Sequence, residues 1–341
     1  MHSESKPLGE FDLIQRFFKA GADAMRSNNE KVLALGIGDD CALLRPVAGE
    51  EIAITSDMLV EGRHFLLAAN PELLGRKALA VNLSDLAAMG AKPIGFTLAV
   101  ALPKVDTVWL DAFARGLFAI ANQYSCPLIG GDTTAGPLTI SITALGSIPS
   151  GKAIRRSGAK VGDDIWVSGC VGDARLTLAA LRDEIKLPEH DLKQIEPRMH
   201  NPNPRIELGI KLRGIASAAL DISDGLLGDL QHILKQSHVS AEVFLEELPK
   251  SITLQKQSAA IQNQFAATGG DDYEICFTAP IETRSAIDAI SKELNLSLTR
   301  IGSITKKVDE TQRLHLLNKY GDLLDDAKTV ELLKSFDHFA K

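Results

Sequence analysis

Six aspartate-bearing segments constrain this chain more than any other feature. They are Gly38-Asp39-Asp40, Thr55-Ser56-Asp57, Asn82-Leu83-Ser84-Asp85, Gly130-Gly131-Asp132-Thr133-Thr134, Asp221-Ile222-Ser223-Asp224-Gly225 and Gly269-Gly270-Asp271-Asp272, and most follow an apolar run directly. One such segment is ordinarily just a turn or a helix cap. Gly162-Asp163-Asp164 is an example, because it precedes an apolar run, 165–168, instead of ending one. Six in one chain point to a shared task. Ligand sites in α/β proteins gather at strand ends. A carboxylate beside a Ser or Thr hydroxyl offers two oxygen ligands at one turn, and hard cations such as Mg²⁺ bind through such oxygens plus substrate phosphates. Converging carboxylates repel one another unless cations offset their charge. Phosphoryl transfer is the chemistry that uses this arrangement, because there the protein mainly positions groups and neutralises charge.

The rest of the chain alternates strand-like and helix-like segments. Phe11, Ile14, Phe17 and Phe18 recur at helical spacing and predict a helix over 8–26. Helices are expected at 75–89 and 106–124, and strands at 51–55, 95–102 and 138–145. A short stretch over 149–158, with Gly151, Lys152, Arg155 and Arg156, marks a domain boundary. This gives domains 1–149 and 150–341. In the second, strands are expected at 165–168, 243–245, 273–278 and 297–304, and helices at 174–183, 224–236 and 281–294. The interval 184–204 holds four prolines and reads as a loop-rich connection. Mixed strands and helices in both halves argue for two α/β or α+β domains.

Composition narrows the function classes. With 37 Lys+Arg against 44 Asp+Glu the net charge is −7, and no basic run stands out, which argues against nucleic acid as a partner. No apolar stretch approaches the roughly 18 residues of a membrane helix. The first residues, MHSESKPLGEF, lack the apolar core of a secretory signal, so a cytoplasmic location is expected. Cys41, Cys126, Cys170 and Cys276 are widely spaced and form no C-x-x-C, so reduced, mostly buried thiols are expected rather than a zinc or redox site.

The familiar phosphate-handling signatures are missing. Gly151-Lys152 is followed by Ala153 and opens no P-loop, no H-R-D or D-F-G of a protein kinase occurs, and Gly36-Ile37-Gly38 lacks the third glycine of a dinucleotide fingerprint. The motifs that do occur, in order, are LGIGDDCALL (35–44), ITSDMLVEGRHF (54–65), KALAVNLSDLAAMGAKP (77–93), LIGGDTT (128–134), RSGAKVGDDIWVSG (156–169), LDISDGLLGDL (220–230), GGDDYEICF (269–277) and FDHF (336–339). Together they resemble the thiamine-monophosphate kinase family, within the superfamily of aminoimidazole-ribonucleotide synthetase and selenophosphate synthetase. The resemblance runs from about residue 9 to 339. A selenophosphate synthetase would carry a reactive Cys near its N-terminus, whereas Cys41 sits inside the GDD motif. A hydrogenase-maturation relative would end in cysteine, whereas this chain ends in FDHFAK.

The resemblance implies a two-domain PurM-like α/β (α+β) fold, with an N-terminal sheet domain forming a homodimer core and a C-terminal α/β domain. It implies ATP- and Mg²⁺-dependent phosphorylation of thiamine phosphate, with several ions. By motif, Asp40, Thr55, Ser56, Asp57, Asp85, Asp132, Asp221 and Asp224 match magnesium positions, with Asp39 adjacent. Gly131, Asp132, Arg156 and Ser223 match nucleotide contacts. His64, Asp271 and Phe336 match thiamine phosphate contacts. Asp57, Asp85, Asp132 and Arg156 are the catalytic set this implies. Taken without the resemblance, Arg156 reads as a solvated loop charge, His64 as a packing or surface histidine, and Phe336 as an anchor of the C-terminal tail. Two positions depart from the family. Asp271 stands where Glu is frequent, which shortens the carboxylate's reach by one methylene. Phe336 stands where Trp or Tyr is frequent, which keeps a stacking face and loses a polar handle.

Overall fold

The structure is a computed structural model, and residues 9–26, 31–307, 313–324 and 332 are described. Phe336 and the FDHF motif lie outside the described residues. The chain divides into two compact units, one holding residues 1–86 and 92–150, the other 87–91 and 151–341.

The first unit opens with a helical segment, α1 (Glu10–Leu13), a π-helical turn over Ile14–Lys19 and α2 (Ala20–Arg26), followed by the paired short strands β1 (Leu33–Leu35) and β2 (Leu43–Leu44). Then come β3 (Glu50–Val60), α3 (Pro71–Ala88), β4 (Lys92–Leu102), α4 (Thr107–Gln123), β5 (Leu128–Ala135) and β6 (Thr139–Pro149). The four long strands form one sheet in the order β3-β6-β4-β5, antiparallel except for the parallel β4–β5 pair.

Helix α4 starts where Asp106 accepts hydrogen bonds from the amides of Val108 and Trp109, at 3.1 and 3.0 Å, which is an N-cap. Its buried residues Leu110, Phe113, Ala114, Leu117, Ile120 and Ala121 recur every three or four positions and make one apolar stripe. Helix α3 is buried over most of its circumference, with Leu79, Ala80, Leu83 and Ala87 fully inaccessible, as expected of a helix that is apolar nearly all round. The two helices meet backbone to backbone. A Cβ on Gly116 would fall 1.8 Å from the Glu72 carbonyl oxygen, and one on Gly75 would fall 2.1 Å from that of Phe113.

One face of the sheet is packed, and Phe96, Leu98, Ile140, Ile142 and Ala144 are buried on it. The other face presents Ile52 (47% exposed), Ile54 (66%) and Met58 (57%) on β3.

The second unit is built from β7 (Asp164–Ser168), α5 (Asp173–Leu181), α6 (Glu189–His200), α7 (Ile206–Leu212), β8 (Ala218–Asp221), α8 (Leu226–Ser237), β9 (Ser240–Phe244), α9 (Ile252–Gln255), α10 (Ala259–Thr268), β10 (Ile275–Ala279), α11 (Arg284–Leu294), β11 (Leu298–Thr305) and β12 (Leu314–Leu317). Its sheet runs β12-β9-β11-β7-β10-β8 and is antiparallel except for β12–β9. The strands β7, β8 and β10 are buried on both faces, and Leu226, Leu227, Leu230, Ile233 and Leu234 of α8 join the core.

The interval expected to be loop-rich contains α6. Asp191, Ile195 and Met199 form its buried i, i+4, i+8 stripe, and this packing outweighs the one hydrogen bond lost at Pro197. All four cysteines are free: Cys126 and Cys276 are buried, Cys170 is half-buried and Cys41 is exposed. Burial pushes the Cys126 thiol up to about 12 and raises that of Cys276 as well, which keeps both inert. Among the described residues, no helix is long and apolar enough to cross a membrane.

The helix contact at Gly116 gives a direct test. Gly116→Ala forces a methyl group against backbone and is expected to cost about 1–3 kcal/mol, read by urea unfolding. A loss under about 0.5 kcal/mol, the size of an ordinary surface change, would show that α3 and α4 do not touch there.

Candidate active site

In the first unit, strand β3 and helix α3 bring the aspartate motifs together. The sequence reading places Ser56 and Asp57 just past a strand end, but β3 runs on to Val60 and both lie inside it. Side chains alternate along a strand, so Thr55 and Asp57 share the packed face while Ser56 points to the other. There the Ser56 Oγ lies 3.0 Å from the Thr143 Oγ1 and 3.2 Å from the Ile142 carbonyl oxygen. On the packed face, Thr55 Oγ1 donates to Asp85 Oδ2. The Asp57 amide donates to Asn82 Oδ1 at 3.1 Å, and Asn82, fully buried, donates from Nδ2 to the Ala78 carbonyl at 3.2 Å. Asn82 and Asp85 are three residues apart and share a helix face. Two residues of β3 are thereby pinned to two of α3.

Asp132 and Gly131 also lie inside a strand, β5. The register sets Asp132 beside Ala99, Ser141 and Met58, the row of the uncovered face, and sets Gly131 beside Leu98, Ile142 and Asp57. Gly131 has φ +150°, and a Cβ there would fall 1.8 Å from the Leu98 carbonyl oxygen, so no side chain fits. Asp39 and Asp40 are exposed in the turn between β1 and β2, where the Asp40 amide donates to Asp39 Oδ1 at 2.9 Å. His64 lies in the turn after β3. Its Nδ1 accepts the Val60 amide at 3.0 Å, which leaves the neutral ring's proton on Nε2 and makes that nitrogen a donor.

In the second unit, Asp221 is the last residue of β8 and is buried. The segment Ile222-Ser223-Asp224-Gly225 then leads into α8. Asp229, in the first turn of α8, is buried and accepts through Oδ2 from the amides of Ser223 at 3.0 Å and Asp224 at 3.1 Å. Burial pushes its carboxyl up to about 7, with the amides and Arg156 opposing and Asp224 adding to the rise. Arg156 therefore stands within electrostatic reach of Asp229, and it also acts on His232, whose ring is lowered chiefly by burial. Ser237, at the end of α8, holds the Arg156 loop. Its Oγ accepts from the Gly158 and Ala159 amides and donates to the Arg156 carbonyl, each at 3.1 Å.

The Gly269–Glu274 segment is laced to the Ser223 segment. The Asp271 amide donates to the Ser223 carbonyl, the Tyr273 amide to the Ile222 carbonyl, and the Ile222 amide to the Glu274 carbonyl, each at 2.8 Å. Asp271 (φ +67°) and Tyr273 (φ +49°) both occupy the left-handed region, a costly conformation for residues with a Cβ and one that clusters at functional sites. Tyr273 Oη donates to Asp271 Oδ1 at 3.0 Å and so orients the carboxylate. Below them, Glu274 is fully buried and accepts from Arg198 at 2.7 Å, from Arg205 Nε at 2.7 Å and from Ser168 Oγ at 2.5 Å.

Each unit thus gathers some of the expected site residues on its own hydrogen-bonded frame, and comparison with known proteins shows which family carries these motifs. The family models for AIR synthase related protein match here, the N-terminal domain over residues 38–148 and the C-terminal domain over 160–314. The thiamine-monophosphate kinase of Salmonella typhimurium is 45% identical over 335 residues, covering 97% of this chain and 98% of that protein. The chain belongs to the thiamine-monophosphate kinase family. The crystal structure of the thiamine-monophosphate kinase from Stenotrophomonas maltophilia superposes with a TM-score of 0.83 at 44% identity, covering 91% of this chain and 97% of that one. AaThiL complexed with AMPPCP and TMP superposes with a TM-score of 0.74 at 29% identity, covering 99% of this chain and all of that one.

Beside the residues the kinase motifs point to, the structure adds Asn82, Ser237, Asp229, Glu274, Arg198 and Arg205. The first five residues of a helix hold a readable signal for Asp229, a carboxylate placed to reach back to amides ahead of the helix. Arg198 and Arg205 carry no local signal, because only the fold brings them to Glu274.

Asp57→Asn and Asp85→Asn are nearly isosteric and each removes one carboxylate. Either is expected to lower turnover by about a hundredfold or more while leaving the far-UV circular dichroism spectrum and melting temperature close to wild type. Unchanged turnover in a folded variant would remove that residue from the reaction.

Proposed function

We propose that this chain transfers the γ-phosphoryl group of ATP to thiamine phosphate, giving thiamine diphosphate and ADP. The observation that carries this is the identity with thiamine-monophosphate kinases at 44–45% over nearly the whole chain. Chemically, an oxygen of the thiamine phosphate bonds to the γ-phosphorus as the bridging oxygen leaves with ADP. The acceptor is already anionic at neutral pH, since its second pKa is about 6, so no strong general base is needed. The obstacle is bringing two phosphate groups together.

Asp40, Thr55, Ser56, Asp57, Asp85, Asp132, Asp221 and Asp224 are the residues we assign to Mg²⁺. The donors are oxygens throughout, as this ion requires. Such an ion takes one or two carboxylates and completes its shell with water and phosphate. Bound there, Mg²⁺ would neutralise charge on the phosphates. We assign Gly131, Asp132, Arg156 and Ser223 to the nucleotide. A guanidinium matches phosphate oxygens in a planar fork. His64, donating from Nε2, and Asp271, oriented by Tyr273, are assigned to thiamine phosphate. Phe336, whose ring suits a cationic thiazolium, completes that assignment from sequence alone.

The working form is a cytoplasmic homodimer. The uncovered face of the four-stranded sheet, with Ile52, Ile54 and Met58 exposed, is the kind of apolar patch that a second copy covers.

Purified protein with ATP, Mg²⁺ and thiamine phosphate is expected to release ADP and thiamine diphosphate together, with no ADP release when thiamine replaces thiamine phosphate. ADP released equally with either would overturn the acceptor. His64→Ala is expected to raise the KM for thiamine phosphate by about tenfold and to move the KM for ATP much less. Equal rises would remove its contact with the acceptor.

A further inference from the structure

The segment that joins β8 to α8 is held from an unexpected side. Helix α8 begins after Gly225, which carries no side chain to cap it. No capping side chain fits there, because φ is +117° and a Cβ would fall 2.7 Å from the Thr268 carbonyl oxygen. The usual N-cap residues Ser, Thr, Asp and Asn are therefore barred. The carboxylate comes instead from inside the helix. Asp229 is 6% exposed, and its Oδ2 takes the amides of both Ser223 and Asp224. Free amides ahead of a helix are ordinarily donors for a phosphate oxygen. Here the protein's own carboxylate occupies them, so an approaching phosphate meets the side chains of Ser223 and Asp224 rather than their backbone.

The grip is two-sided. The Ser223 amide goes to Asp229 while its carbonyl accepts the Asp271 amide at 2.8 Å. The contact with the Asp271 segment is close enough that a Cβ on Gly270 would fall 2.6 Å from the Ser223 carbonyl oxygen. A carboxylate buried beside Asp224 is a costly way to stabilise a helix end. What it does that a cap at residue 225 would not is fix two residues upstream of the helix.

We propose that Asp229 is a positioning residue for the phosphoryl transfer, setting Ser223 and Asp224 for the nucleotide and its metal without touching either. This rests on the assignment of Ser223 to ATP and Asp224 to Mg²⁺ made above. Three full-length variants test it: Asp229→Ala removes the acceptor, Asp229→Asn keeps one acceptor oxygen, and Asp229→Glu moves the acceptor out by one methylene. For each, the melting temperature, the KM for ATP, the Mg²⁺ concentration giving half the maximal rate and the affinity for AMPPCP with Mg²⁺ are measured.

Asp229→Ala is expected to raise both the KM for ATP and the half-maximal Mg²⁺ concentration by about tenfold to a hundredfold. Asp229→Asn is expected to restore most of that loss, and Asp229→Glu to fall between. A role confined to stability would lower the melting temperature and the active fraction while leaving these constants at wild-type values in the folded protein, and that result overturns the proposal. If Asp229→Ala does not fold, Asp229→Glu decides, and wild-type constants in it are equally fatal. Wild-type protein that binds AMPPCP with Mg²⁺ but releases no ADP would count against the proposed reaction. The AMPPCP affinities of the variants would still test Asp229.

Discussion

The first unit depends on a polar seam between strand β3 and helix α3. Thr55 bonds to Asp85, and the Asp57 amide bonds to a wholly buried Asn82. A buried amide or carboxylate without a partner costs about 1–3 kcal/mol, more than the net gain of a typical hydrogen bond. Each group in the seam therefore enforces the presence of the next. Displacing α3 along β3 would leave several of them unpaired together. The same seam carries Asp57 and Asp85, two of the residues assigned to Mg²⁺, so what aligns the helix on the strand also sets those two.

The second unit solves the same problem with loops. The Ser223 and Asp271 segments are bonded to each other through three backbone hydrogen bonds, with Asp229 holding one and the buried Glu274 with Arg198 and Arg205 anchoring the other. A buried ion cluster adds little net stability over apolar packing, but removing one partner is severe. It suits a loop whose Asp271 and Tyr273 both sit at positive φ, since a strained backbone persists only where its surroundings over-determine it. The segment assigned to nucleotide and the segment assigned to thiamine phosphate are thus one hydrogen-bonded body.

Much of this was legible in the chain, for local reasons. Helix α4 announces itself by Asp106 and a three-four apolar spacing, and β6 by its alternation. Helix α6 did not, because its buried Asp191 and its Pro197 are poor local choices that only tertiary packing sustains. The aspartates looked like turn residues because turn residues and ligand residues are the same types. Asp57 and Asp132 prove to lie within strands, whereas Asp85 lies in the helix expected over 75–89. Ser56, adjacent to Asp57, consequently points to the opposite face of the sheet.

The order of the motifs and the elements with a strong local pattern, such as α4 and β6, follow from spacing and residue chemistry along the chain alone. Only the tertiary structure decided which face of β3 each motif residue takes, that Asn82 and Asp229 are the groups holding the assigned residues, and that Arg198 and Arg205 meet at Glu274. Those outcomes depend on strand register and on contacts between segments as distant in the chain as Glu50 and Pro149, or Arg198 and Glu274. Local propensity carries no information about which distant segment will supply a buried group's partner.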